Sequence, residues 1–164
     1  MAIVGRHIAA LPNTVILKTL NVFTNKFPEL AIMHVPTFME ELESRPLSRE
    51  IMALLGAVLA VTSGQLAVLG ASWVDMLLTR EEYALYTREM LSQFILQPPK
   101  LQVVQILLII TLYEWGTRNF HKAWMYCGKF FKNRYIRQAE LPIHGLTALF
   151  YDFMKGNRTH AASN

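Results

Sequence analysis

Between Pro98 and Gly128 the chain reads PPKLQVVQILLIITLYEWGTRNFHKAWMYCG, and this stretch constrains the fold more than any other. It is an apolar helix, a tight Trp-Gly break, and a second helix that opens with aromatics. On the first helix Leu101, Val104, Leu108 and Leu112 line one face, while Val103, Leu107 and Ile110 line another. A helix with no wet face must be covered by protein or by lipid. The second helix carries Phe120, Ala123, Trp124 and Cys127 on one face, with Lys122 and Lys129 away from it. The pair is expected at the centre of an α-helical core, with Trp124 among its large buried side chains. Nothing in it is chemically armed.

The rest of the chain is punctuated like a helical bundle. Pro12 suits the first turn of a helix over 12–26, whose Ile16, Leu20 and Phe23 repeat at helical spacing. Phe27-Pro28 ends it, because a residue before proline is pushed out of the helical region. A turn-rich connector runs between Pro28 and Pro36, and a short helix is expected over Phe38 to Glu43. Ser48 is a good N-cap with Glu50 in the first turn behind it. Ile51 to Val61 is almost wholly apolar, and Ser63-Gly64-Gln65 predicts a break before the apolar run resumes. Thr79 with Glu82 three residues on forms a capping box. The helix it opens carries Tyr83, Tyr86, Met90 and Phe94 on one side and stops at Pro98-Pro99. Beyond Ile136 one short helix is expected over Gly145 to Lys155, followed by a loose polar tail from Gly156. No strand-length alternation and no internal repeat occurs. The fold class is all-α, an irregular bundle of about six to seven helices.

Length and charge narrow the function. A chain of 164 residues supports one domain with a real core. With 52% hydrophobic and 17% charged residues it is apolar for a soluble domain. Its +4 charge is concentrated late, at Lys122, Lys129, Lys132, Arg134 and Arg137, where a solvated helix end explains it better than a nucleic-acid face. The single Cys127 has no partner for an internal disulfide. MAIVGRHIAA is too short and too broken for the apolar core of a secretory signal.

No constellation of catalytic residues is present. His34 lacks a neighbouring acid or second histidine and reads as a turn residue satisfied by backbone. His121 and Cys127 point to different helix faces. Ser63 and Ser72 lack the strand-to-helix setting of a nucleophile elbow. Gly56, Gly64 and Gly70 are too far apart for a phosphate loop, and Asp75 and Asp152 are isolated acids. Trp73, Trp115, Trp124, Tyr113 and Tyr126 suit core packing better than a ligand pocket. The rival to a soluble bundle is a small helical membrane protein, because Ile51 to Ala71 carries no charge over a length close to a spanning helix. The polar Ser63-Gly64-Gln65 interruption argues against it.

The central pair also resembles a family. Gln105-Ile106-Leu107-Leu108 inside an aliphatic helix, the ending Leu112-Tyr113-Glu114-Trp115-Gly116, and Ala123-Trp124-Met125-Tyr126-Cys127-Gly128 keep the order and spacing of the middle regulatory domain of fungal zinc-cluster transcription factors. The likeness extends upstream through Phe27-Pro28-Glu29-Leu30, Met33-His34, Pro36-Thr37-Phe38, Met52 to Val58 and Tyr86 to Leu91. It divides the chain into a partial regulatory domain over 1–128 and a divergent extension over 129–164, where Lys129 to Ile136 departs from the family pattern. Later family helices are therefore expected to be missing, with an apolar patch exposed as a result.

The resemblance implies a nuclear regulator of transcription, not an enzyme. Its implied partners are proteins of the transcription machinery, other helices of a full-length regulator, or a small-molecule effector. The family's zinc sits in a separate six-cysteine cluster, and zinc is held by thiolates and imidazoles in sets of four. One cysteine and five scattered histidines cannot supply that cluster, so no cofactor, no direct DNA contact and no membrane are expected. The positions singled out are structural: Gln105, Tyr113, Trp115, Gly116, Trp124, Gly128, Pro36 and Phe38. Gly116 is expected as a positive-φ helix stop, and Gly128 as a point of close helix contact.

Overall fold

The computed structural model describes residues 2–28, 32–44, 46–68, 73–94 and 100–132, the last three by backbone alone. Among them are seven α-helices, one 3-10 turn and no strand. The helices are α1 (Ala2–Ala10), α2 (Asn13–Lys26), α3 (Val35–Glu43), α4 (Arg49–Val68), α5 (Arg80–Phe94), α6 (Leu101–Gly116) and α7 (Phe120–Lys132). The all-α expectation holds. The helix expected over 145–155 and the basic residues Arg134 and Arg137 lie outside the described residues.

The anticipated starts are where the chain's own hydrogen bonds put them. Ser48 Oγ accepts from the Ile51 amide at 3.2 Å and opens α4. Thr79 Oγ1 accepts from the Glu82 amide at 3.3 Å, and Glu82 Oε2 accepts from the Thr79 amide at 2.9 Å, so the capping box closes reciprocally. Pro12 stands just outside α2 rather than in its first turn, and its carbonyl accepts from the amides of Val15 and Ile16. His34 is the N-cap of α3, where its Nδ1 lies 2.8 Å from the Thr37 hydroxyl and accepts from the Thr37 amide. Pro36 follows in the first turn, where a missing N–H costs nothing.

Two helices form the centre. α4 packs against α1, α2, α5 and α6, while α6 packs against α4, α5 and α7. Every residue of α6 from Val103 to Thr111 is buried, as its all-round apolarity requires. Only its ends open outward, with Leu101 43% exposed.

α4 differs from expectation. It is one continuous helix, and Ser63-Gly64-Gln65 does not break it. None of the three residues removes a backbone donor, so the hydrogen-bond ladder runs on. Gly64 faces solvent and Gln65 is half-buried at the outer side of the helix end, while Leu66 still packs inward. Gly64 and Gln65 mark the wet side of an unbroken helix, while Ser63 is buried. α4 has the length and composition to cross a bilayer, yet 67% of its most apolar stretch is buried by the other helices. Here protein supplies the cover that lipid would supply in the rival reading.

Close packing of α4 on α5 depends on Gly56. A Cβ there would fall 2.9 Å from Thr87 Oγ1, 3.2 Å from Tyr86 Cδ1 and 3.4 Å from Ile8 Cδ1. α1, which no periodicity in its nine residues announces, closes this end. Ile8 is fully buried, and Gly5 lies against the Tyr86 ring. Beside it His7 Nε2 meets the Tyr83 hydroxyl at 3.0 Å, and that hydroxyl accepts from the Leu78 amide. Burial holds the His7 imidazole below its ordinary range, with Glu82 opposing. A neutral ring with a bare Nε2 is able to accept the phenol proton of Tyr83, whose oxygen already accepts from Leu78.

Candidate functional site

The chemistry-bearing groups gather where α5, α6 and α7 meet. Glu114, near the end of an otherwise uncharged helix, has a side chain only 1% exposed. Its Oε1 accepts from Arg88 Nη1 at 2.8 Å, and Arg88 keeps one edge toward solvent. A buried carboxylate is tolerable only with such a partner. Tyr126 of α7 lies beside the pair. Burial and then the Glu114 charge push its phenol above the usual range, and the Arg88 charge pulls the other way. Tyr113 is buried on the neighbouring turn with the Arg80 guanidinium 5.6 Å over its ring. Arg88 and Glu114 satisfy each other and fix α5 against α6.

Gln105 does something specific. It is buried in α6, and its Nε2 donates to the carbonyl of Ile32 in the connector between α2 and α3. A buried carbonyl needs a donor, and an amide in a greasy helix supplies it from 73 residues away. Phe38 and Leu42 pack α3 onto the core below that clasp. Trp115 is half-buried, its ring edge-on to Phe120 at 5.0 Å, which links the end of α6 to the start of α7.

Three expectations for this region need correction. Gly116 is the last residue of α6 and is not the positive-φ position; that is Arg118, with φ 60. The Asn119 amide reaches the Glu114 carbonyl at 2.8 Å and the Arg118 amide reaches Trp115 at 2.9 Å. This is the Schellman pattern with arginine at the left-handed position where glycine is usual. Replacing Arg118 by glycine should therefore raise stability by about 1 kcal/mol in a denaturant melt, by relieving the Cβ strain of that conformation; a loss would mean the arginine side chain contributes more than its backbone costs.

Trp124 is the second correction. It is 60% exposed and Phe120 is 50% exposed, whereas Ala123 and Cys127 are the α7 residues turned into the core. The small residues let α7 lie close on α6, which leaves no room for an indole between them. Burial pushes the Cys127 thiol above its usual range, so it behaves as a small hydrophobe. Truncating Trp124 to alanine should cost about 1 kcal/mol or less, against the 3–5 kcal/mol of an emptied core site; urea melts giving the larger figure would restore the inward placement. Gly128 is the third. It is exposed, and nothing lies within 4 Å of where its Cβ would be, so it is not a point of close contact among the described helices.

Sequence reasoning overlooked the Arg88–Glu114 pair, though a lone carboxylate in a helix with no wet face was the available signal. Among the described residues no group of three His, Cys, Asp or Glu side chains converges as a metal site would require. A family model, the fungal specific transcription factor domain, matches residues 20–136. The chain belongs to this family. The matched stretch begins inside α2 and takes in α3 through α7, so the core built on α4 and α6, the Gln105 clasp and the Arg88–Glu114 pair all belong to the fungal transcription factor domain. α1 precedes it. The curated proteins and the solved structures compared with the chain give no match. This family is one of transcription-factor domains and is not a known enzyme family.

Proposed function

We propose that this fungal transcription factor domain is a regulatory module that acts in the nucleus through contacts with other proteins, and that its own residues do not read DNA. The observation that carries the reading is the family match across α2 to α7. The interior supports it: Arg88 of α5 and Glu114 of α6 pair with each other, which suits a module that holds a shape and presents a surface. The single cysteine and five histidines of the 164 residues do not provide the ligands of a zinc cluster, so a DNA-reading partner module is expected to be separate from them. Partners of the transcription machinery, or other helices of a larger regulator, are the expected binders. A small effector is the alternative ligand class.

The test is a tethering experiment. Fused to an unrelated sequence-specific DNA-binding module, the chain should change transcription of a reporter several-fold relative to that module alone at equal abundance. Unchanged output in a fungal host would count against regulation. The unfused chain should show no sequence-specific DNA binding once moderate salt is present; specificity that survives salt would overturn the division of labour.

A further inference from the structure

α7 turns two rows of residues away from the core. Phe120, Trp124 and Gly128 stand four apart and form the first. Phe120 is 50% and Trp124 60% exposed, and Met125 beside them is 42% exposed. Among the described residues the other exposed large apolar side chains, such as Ile3, Leu17, Val68 and Leu85, fall one to an element. Lys122, Met125 and Lys129, at i, i+3 and i+7, form the second row, so a basic strip runs beside the apolar one. From Trp115 to Lys129 the sequence holds Arg118, Lys122 and Lys129 and no Asp or Glu. None of these three cations enters an ion pair among the described residues, whereas Arg80, Arg88 and Lys100 each hold a carboxylate.

We propose that this face of α7 docks an acidic amphipathic peptide segment of a partner protein, whose apolar side chains cover Phe120 and Trp124 and whose carboxylates meet Lys122 and Lys129. The inference rests on the protein-binding reading above and gives that partner its chemistry. Charge complementarity makes the choice. A second copy of α7 would bring the same cations against these, and like charges across an interface disfavour it. A nucleic acid would gain few phosphate contacts from three cations. An anionic lipid surface would satisfy the lysines, but it draws nothing from the dip at Gly128, where no atom lies within 4 Å of a Cβ. A peptide backbone can enter that dip, because glycine lets a chain come close. Trp, Phe and Met are the side chains enriched at protein interfaces, and Trp dominates their energetics.

Fluorescence anisotropy with the full chain and a labelled synthetic peptide tests it. The probe is a peptide of about fifteen residues with Leu and Phe on one helical stripe and Asp or Glu elsewhere. It should bind saturably, and more weakly as salt rises. The same peptide with Lys for every acid should bind about fivefold or more weakly. Trp124→Ala, and separately Lys122→Glu combined with Lys129→Glu, should each weaken binding of the acidic peptide by about fivefold or more. Both variants change exposed or half-buried side chains, and circular dichroism checks that their helix content is kept. No binding of the acidic peptide, or a smaller loss in any of these three comparisons, overturns the proposal. So does single-stranded RNA or a phosphatidylserine vesicle that binds this face more tightly than the peptide, or a dimer in light scattering that Trp124→Ala dissolves. The tethered reporter is read separately: changed output without peptide binding removes the acidic partner and leaves the regulatory reading standing.

Discussion

Replacing Arg88 by alanine should lower the unfolding free energy by about 3 kcal/mol at neutral pH. The loss comes from what stays behind. Glu114 is 1% exposed, and in the variant its carboxylate would sit desolvated among apolar side chains with its 2.8 Å partner gone. Breaking a buried pair from one side costs 3–5 kcal/mol, and the solvent-facing edge of Arg88 admits some water, which places this site at the low end. Glu114→Gln keeps the shape and an acceptor for Arg88, so it should cost about 1 kcal/mol, the net worth of an ordinary hydrogen bond. Equal melts of the Arg88 variant and the wild type at neutral pH would show that Glu114 is not held by Arg88.

Gly56→Leu should cost about 3 kcal/mol or more, the upper range for overpacking. Even a methyl group meets Thr87 Oγ1 at 2.9 Å. That hydroxyl is not free to swing away: Thr87 is fully buried and donates to the Tyr83 carbonyl at 2.9 Å. Leucine adds three more carbons in the direction of Tyr86 and Ile8, so α4 and α5 must separate and α1 must lift. Gly56→Ala should sit near balance or mildly below wild type, since roughly 1 kcal/mol of helix propensity offsets the forced shift of Thr87. Urea melts of the two variants give the order. A leucine variant as stable as wild type would mean that the α4–α5 contact is looser than it stands here.

Much of the framework is legible in the chain. α6 was readable because nothing in it tolerates water, and the ends of α4 and α5 because Ser48 and Thr79 carry local signals that act within three residues. The inward set Tyr83, Tyr86, Met90 and Phe94 follows from helical spacing alone. α1 was not readable, since nine residues hold little periodicity and its helix is fixed by Ile8 and Gly5 docking on distant elements. α7 misled because Phe120, Ala123, Trp124 and Cys127 read as one buried face, whereas close approach to α6 turns only the small residues Ala123 and Cys127 of these four inward. The Arg88–Glu114 pair spans 26 residues and exists only once α5 and α6 pack. At the α6 stop a glycine drew attention, but the left-handed residue is Arg118, two positions on.

The position of α4 has a consequence for how the chain emerges from the ribosome. α1 and α2 are made first, and the inward residues Ile8, Val15, Ile16, Leu20 and Phe23 have α4 as their main support. α4 ends at Val68, more than 40 residues after Lys26. At about 5–20 residues per second those side chains wait for seconds before a surface exists to receive them. α4 then waits in turn for α5 and α6. Synthesis is the period when this chain depends most on outside protection, and slower translation across 27–68 should raise the fraction captured by chaperones or lost to aggregation.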